Sequence, residues 1–321
     1  MIDSFASWLI YGKFGLDSTS RLGQSLHFFV YDTIKIIFLL LLMTILMGIV
    51  NSYLPIEKIK NFLTKRNWYG LDHLLASLFG AITPFCSCSS IPLFMGFLKG
   101  GIPLGVTLSF LITSPLVNEV ALALFIGIFG LKVTLIYAIS GILLGTIVGY
   151  ILGKMNLEKY LEDWVVQSLQ TKIQNTDLAE GSLSFSERLP EIIKEALNIT
   201  KGVIPYLFIG IGLGALIHGF IPTGYFEAYI TKNNPLAVPL AVILGVPMYA
   251  NATSVIPILQ ALVEKGIPLG TALAFSMAVV GLSLPEATLL KKVMKTKLIA
   301  IYFGSVSISI IFLGYFFNYI F

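Results

Sequence analysis

The sequence predicts an all-α integral membrane protein with about eight membrane segments in two homologous halves, each half holding proline-broken helices. Three observations predict it. Of the 321 residues, 56% are hydrophobic and only 12% are charged, whereas soluble domains carry about 25% charged residues. The apolar residues come in runs of roughly 20 or more, the length a bilayer demands of a helix, and mean hydropathy is +0.87. Short motifs also recur at a nearly fixed spacing in the two halves of the chain.

Residues 1–26 read as an amphipathic lead-in that lies on the membrane surface, with Phe5, Trp8, Leu9, Ile10 and Tyr11 on or near one face. They lack the basic-then-apolar layout of a cleaved signal, since Asp3 comes early and the first basic residue is Lys13. Eight apolar segments follow, at 27–54, 73–99, 103–129, 131–153, 196–221, 234–263, 266–290 and 298–320. The first four make one transmembrane repeat, 27–153, and the last four a second, 196–321. Between them, 154–195 is an extramembrane linker that holds Glu158, Glu162, Asp163, Asp177, Glu180, Glu187, Glu191 and Glu195.

The repeat rests on matched motifs. Tyr53-Leu54-Pro55 and Leu63-Thr64-Lys65 match Phe220-Ile221-Pro222 and Ile230-Thr231-Lys232, 167 positions on. Ile91-Pro92 and Gly101-Ile102-Pro103-Leu104-Gly105 match Ile256-Pro257 and Gly266-Ile267-Pro268-Leu269-Gly270, 165 positions on. Duplicated halves place a transporter's site at the repeat interface.

Two basic clusters set the orientation. Lys58, Lys60, Lys65 and Arg66 follow the first segment, and Lys291, Lys292, Lys295 and Lys297 follow the seventh. Both belong in the cytoplasm by the positive-inside rule. If all eight segments span, the copies are parallel and the N-terminus, linker and C-terminus all lie outside. If one broken segment per half is re-entrant, each copy crosses three times and the copies are inverted. The sequence leaves both arrangements open.

The breaks carry the polar groups. Pro84-Phe85-Cys86-Ser87-Cys88-Ser89-Ser90-Ile91-Pro92 interrupts the second segment, and its two prolines remove two backbone donors. Unsatisfied backbone at membrane depth is tolerated only against protein or a water-filled cavity. Cys86, Ser87, Cys88, Ser89 and Ser90 therefore read as a cavity lining, against the alternative of a kinked helix satisfied by its own hydroxyls. In the sixth segment, Pro247-Met248-Tyr249-Ala250-Asn251-Ala252-Thr253-Ser254-Val255-Ile256-Pro257 stands at the matching place. Tyr249, Asn251, Thr253 and Ser254 would form the opposite, hydroxyl and amide wall, or else act as interhelical hydrogen-bonding groups.

The third segment breaks at Thr113-Ser114-Pro115-Leu116-Val117-Asn118-Glu119 and the seventh at Gly281-Leu282-Ser283-Leu284-Pro285-Glu286. Ser114 and Asn118 join the candidate lining. Glu119 and Glu286 fall at roughly corresponding places, and carboxylates within a membrane point to function. Each is a candidate for proton coupling, with capping of the half-helix after the proline as its bland alternative.

Cys86 and Cys88 are the only cysteines. Two sulfurs cannot close a tetrahedral zinc site, but in an extended turn they offer soft ligands to a thiophilic substrate such as trivalent arsenic or Cu(I). Small buried hydrophobes is the competing reading. Gly141, Gly145, Gly149 and Gly153 recur every four residues, as do Gly210 and Gly214, and read as close helix packing. His73 and His218 sit near segment ends and read as hydrogen-bonded interfacial groups.

The run from Pro84 to Pro92, with Lys99-Gly100-Gly101-Ile102-Pro103-Leu104-Gly105 and Ser114-Pro115, resembles the predicted permease family that includes the trivalent organoarsenical efflux permeases. The second-half run Gly245–Pro257, with Gly266–Gly270 and Leu284-Pro285-Glu286, is similar to a branch of it. The resemblance covers both halves and implies a multi-pass permease of the cell (inner) membrane, some members of which export methylated or aromatic arsenicals.

The function expected is thus a permease that moves a small solute through a cavity between two repeats, with efflux of a thiophilic or metalloid substrate as the class the resemblance implies. An intramembrane enzyme acting on lipid or a small sulfur compound is the alternative, with Cys86 as nucleophile and Glu119 as base. No GxxxxGK[ST] and no HExxH occurs. No cofactor and no metal site are expected, and the scattered net charge of +4 gives no nucleic-acid footprint. The partners expected are the lipid bilayer, the solute and, in an oligomer, further copies of the chain.

Overall fold

The computed structural model describes residues 2–18, 20–53, 70–83, 87–163, 165–166, 234–248, 252–264 and 266–321, together with scattered positions between 189 and 208. Among the described residues every regular element is helical, apart from one isolated bridge between Leu161 and Met294. In chain order the helices are α1 (Ile2–Ser7), α2 (Arg21–Tyr53), α3 (Leu71–Ile82), α4 (Ser87–Gly100), α5 (Leu104–Leu116) and α6 (Glu119–Lys154), the last broken at Gly130, whose backbone is non-helical at φ 80° and ψ 168°. They continue with α7 (Ala237–Gly245), α8 (Ala252–Glu264), α9 (Leu269–Gly281), α10 (Leu284–Leu290) and α11 (Thr296–Ile320). The stretches Ala121–Lys154, Leu269–Leu290 and Thr296–Ile320 are long and apolar enough to cross a membrane. This architecture fits an integral membrane protein. Most of the segment expected at 196–221, the basic cluster at Lys58–Arg66 and most of the 154–195 linker lie outside the described residues.

Glycine and proline punctuate both sets of helices in the same way. Gly101 and Gly266 end α4 and α8 in the left-handed region, at φ 83° and 93°, which glycine adopts without a Cβ clash. The next residue closes a six-to-one bond: Ile102 N donates to Phe97 O at 3.0 Å and Ile267 N to Leu262 O at 3.1 Å. Gly101 N and Gly266 N close the inner bonds, to Leu98 O and Val263 O. Both are the Schellman termination. Pro103 and Pro268 then start α5 and α9 from φ −55° and −56°. At their other ends, Val117 N to Thr113 O and Leu282 N to Ala278 O finish those helices. Asn118 caps α6 by accepting from Ala121 N at 2.7 Å, and Ser283 caps α10 by accepting from Glu286 N at 3.3 Å. In each of these pairs the two residues stand 165 positions apart.

Close packing follows the small residues. On α6, Gly141, Gly145, Gly149 and Gly153 face α5: a Cβ on Gly105 would lie 2.5 Å from the α carbon of Gly153, and one on Gly149 would run into the Ser109 hydroxyl. On α11, Gly314 meets α9 and α7, where a Cβ would lie 2.8 Å from the Ala274 methyl and 2.5 Å from Val238 Cγ1. The opposite face of α6 exposes Leu135, Ile139, Leu143, Ile147 and Ile151, again every four residues, as a lipid-facing stripe. One helix thus carries two stripes of identical period and opposite purpose. Without a hydrophobic drive between helices in lipid, close backbone approach supplies the attraction.

The contacts also give helix directions. His73 Nδ1 pairs with Ser109 Oγ at 3.0 Å and a Cβ on Gly80 would meet Phe110 O, so α3 and α5 run parallel. Beyond the break at Gly130, α6 runs antiparallel to α5, since Gly153 meets Gly105 and Gly141 meets Val117. α4 ends at Gly100, immediately before α5 starts, so α3 enters and α4 leaves at one end of the bundle. In the later set, Tyr315 Oη donates to Pro235 O and Gly270 meets Gly314, which puts the starts of α7 and α9 beside the end of α11.

The start of the linker binds the α10–α11 loop. Glu162 N donates to Val293 O at 2.9 Å, Lys295 N to Tyr160 O at 2.8 Å, and Lys295 Nζ pairs with Asp163 at 2.7 Å. That hydrogen bond holds the Lys295 ammonium above its usual pKa. Leu157, Leu161 and Val165 are buried beneath this contact. α6 therefore ends where α11 begins, and Lys291–Lys295 share one end of the molecule with the linker.

Candidate functional site

Four helix ends lie part-way through the bundle: those of α3 at Thr83, α5 at Val117, α7 at Val246 and α9 at Leu282. The two sets of helices meet there. α5 packs on α9, α4 packs on α10, and α8 packs on α6. A Cβ on Gly281, the last residue of α9, would stand 2.7 Å from Cδ2 of Leu116, the last residue of α5. Broken helices at this depth leave backbone groups that a solute or a buried side chain can satisfy.

The local chemistry explains the breaks. Thr83 terminates α3 by donating its hydroxyl to Phe79 O at 2.8 Å. Pro115, in the last turn of α5, cannot bond the Leu111 carbonyl. Ser109 and Thr113 donate back to Gly105 O and Ser109 O, which satisfies their hydroxyls within the helix.

Of the residues expected to line the cavity, Ser90 and Ser114 are wholly buried and Asn118 is half-buried with its side chain engaged as the α6 cap. Cys86, Tyr249 and Asn251 lie outside the described residues, as do the side chains of Ser87, Cys88, Ser89, Thr253 and Ser254. Ser87, Cys88, Ser89 and Ser90 form the first turn of α4, and Thr253 and Ser254 fall in the first turn of α8. The cysteine-bearing helix is thus the one that packs on α10.

The two carboxylates differ. Glu119 is exposed in the first turn of α6. Glu286 is only 1% exposed, and neither carboxylate oxygen has a hydrogen-bond partner among the described residues. They are also two positions out of register: at the 165-residue separation Glu286 corresponds to Ala121, and Glu119 to Leu284. Ser283 and Glu286 have the spacing of a capping box, but the Ser283 N–H stands near the carboxylate without completing the return bond.

Two tyrosines escaped the sequence reading. Tyr137 on α6 and Tyr302 on α11 are both fully buried and 165 positions apart. The Tyr137 hydroxyl donates to Leu116 O at 3.1 Å. The Tyr302 hydroxyl has no hydrogen-bond partner among the described residues and lies within electrostatic reach of Glu286. Testing each buried polar residue at the repeat spacing would have found them. No group of three or more His, Cys, Asp or Glu residues able to hold a metal occurs among the described residues.

Comparison with known proteins agrees with this architecture. The sequence profile of the predicted permease family matches residues 21–319. The UPF0718 protein MJ0584 of Methanocaldococcus jannaschii is 24% identical over 314 residues, covering 80% of this chain and 85% of its own length. The UPF0718 protein YcgR of Bacillus subtilis is 24% identical over 195 residues, covering 61% of this chain and 64% of its own. A Streptococcus mutans protein, named as a candidate subunit of a two-component membrane permease complex, is 32% identical over 140 residues, covering 40% and 46%. No solved structure matches the chain.

Proposed function

This chain belongs to the predicted permease family, and on that premise we propose that it carries a small solute across the cell (inner) membrane through a cavity between two homologous halves. The observation that carries the reading is the reciprocal packing at the breaks: α4 of the first set lies on α10 of the second, and α8 of the second lies on α6 of the first. A two-fold relation between equivalent elements requires this exchange, and such an interface is where duplicated transporters hold their solute.

The halves are 27–153 and 196–321, joined by the 154–195 linker and preceded by the 1–26 lead-in. They are inverted, each with three crossings and one re-entrant hairpin, α3–α4 in the first and α7–α8 in the second. Two observations support inversion over eight parallel spans. The α3–α4 hairpin begins and ends at one end of the bundle, and the linker joins the loop that holds Lys291–Lys295. The linker then shares the cytoplasm with both basic clusters.

The cavity walls are Cys86, Ser87, Cys88, Ser89, Ser90, Ser114 and Asn118 on one side and Tyr249, Asn251, Thr253 and Ser254 on the other. The paired sulfurs favour a thiophilic solute, with trivalent organoarsenical efflux as the specific candidate. Glu119 and Glu286 are the groups assigned to proton coupling. The name of the streptococcal relative adds a second subunit as a candidate partner. The competing enzyme reading places Cys86 as nucleophile and Glu119 as base. The exposure of Glu119 favours transport over it.

A thermal-shift experiment on the full chain in detergent tests the reading, with a trivalent aromatic arsenical as probe. A ligand at 100 times its Kd stabilises the native state by about 2.7 kcal/mol. A dose-dependent rise in Tm, matched by arsenical accumulation in proteoliposomes, is expected. Turnover of the probe into a new chemical species would instead favour the enzyme.

A further inference from the structure

We propose that Glu286 and Tyr302 form a proton-binding site in the second set of helices that has no counterpart in the first. Both residues are buried, neither has a hydrogen-bond partner among the described residues, and the hydroxyl of one lies within electrostatic reach of the carboxylate of the other. A native interior leaves few polar atoms in that condition, and each one calls for an explanation. Here three such atoms, Oε1, Oε2 and the phenolic oxygen, fall on neighbouring helices near the place where α4 packs on α10.

The first set supplies the contrast. The position that corresponds to Glu286 holds Ala121, and the position that corresponds to Tyr302 holds Tyr137, whose hydroxyl donates to Leu116 O. A tyrosine at this place is therefore satisfied by the fold when no carboxylate is present. In the second set the hydroxyl has no such acceptor among the described residues, and a carboxylate stands where the first set has Ala121. The asymmetry is what a coupling ion used once per cycle requires.

The surroundings favour a proton over a metal ion. The charged or titratable groups on the neighbouring elements are Tyr302, Tyr315, Tyr319 and Lys297 on α11, and Cys88 and Lys99 on α4; α9 has none. Of these, the Tyr302 hydroxyl lies within electrostatic reach of the Glu286 carboxylate. A hard cation demands several oxygen ligands, whereas a proton needs one carboxylate oxygen and a neighbouring hydroxyl to accept or donate in turn. In the step proposed, a carboxylate oxygen takes a proton from water admitted on one side. The acid form then hydrogen-bonds the Tyr302 hydroxyl and releases the proton on the other side. Its use in transport rests on the permease reading above, but the site itself does not.

Infrared difference spectroscopy of the full chain in lipid, titrated in pH without any solute, tests the site directly. The expected spectrum has a protonated-carboxyl stretch that is lost in Glu286→Gln and in Glu286→Ala, the latter copying the residue at position 121. The stretch should shift in frequency in Tyr302→Phe and stay unmoved in Tyr137→Phe. A band that survives both Glu286 substitutions, or no protonated carboxyl at any pH in folded protein, overturns the proposal. So does a band abolished by sodium at constant pH, which would make the site one for an alkali cation. An unmoved band in Tyr302→Phe removes the tyrosine and with it the paired site. Loss of transport with the band intact would count against the permease reading alone.

Discussion

Leu116 Cδ2 stands 2.7 Å from the point where a Cβ on Gly281 would begin, and the two residues occupy the same place, the final residue, in α5 and α9. The two sets therefore touch at equivalent positions, and any side chain added at Gly281 enters Leu116. Gly281→Val should destabilise the protein by about 1–3 kcal/mol, the usual range for overpacking. Leu116→Ala in the same chain should recover much of that loss by vacating the space. Thermal unfolding of the two single variants and the double variant measures the coupling. Additive losses would mean that the two residues do not meet.

Glycines along the chain are not equivalent, and the structure ranks them. Gly149→Val and Gly314→Val place methyl groups against Ser109 on α5 and against Ala274 and Val238 on α9 and α7. Each should cost about 1–3 kcal/mol or prevent insertion of a folded chain. Gly304 has nothing within 4 Å of its added Cβ. Gly304→Ala should be neutral or stabilise by up to about 1 kcal/mol through helix propensity. Comparable losses at all three sites would dissociate the cost from packing.

The glycine spacing on α6 was legible in the sequence because a four-residue period survives any environment. So were the Gly-Ile-Pro turns, whose φ values depend on the residues themselves. The helix caps at Asn118 and Ser283 were not read, because a polar residue beside a proline suggests a lining as readily as a cap. The sequence also paired Glu119 with Glu286, whereas the helix bounds set them two positions apart, enough to expose one and bury the other. Tyr137 and Tyr302 passed unnoticed since an aromatic residue in an apolar run carries no signal of its own. Their difference lies in the acceptor each hydroxyl finds, which depends on tertiary packing.

Cys86 and Cys88 are the only thiols in the chain, so a paired substitution isolates soft-ligand chemistry. Serine keeps the size and polarity but loses the affinity for thiophilic species. The double Cys86→Ser, Cys88→Ser variant should keep the Tm of the parent and lose the arsenical-induced rise in it. Unchanged protection by the probe would assign the two sulfurs to packing.

The same thiol-free chain permits a test of topology. The linker contact joins Glu162 to Val293 and Tyr160 to Lys295, so Lys159 and Lys291 lie at one end of the bundle. α11 runs from that end to Tyr319, which is 90% exposed. The inverted arrangement puts the linker and the 291–295 loop in the cytoplasm and the end of α11 outside. Eight parallel spans would put the linker outside and Lys291 inside, across the full hydrocarbon core of about 30 Å. Single cysteines at Lys159→Cys, Lys291→Cys and Tyr319→Cys, probed in whole cells with an impermeant maleimide, separate the two. Only Tyr319→Cys should label in intact cells, and all three should label after permeabilisation. Labelling of Lys159→Cys from outside while Lys291→Cys stays protected would restore the parallel arrangement. It would also break the linker contact on which inversion rests.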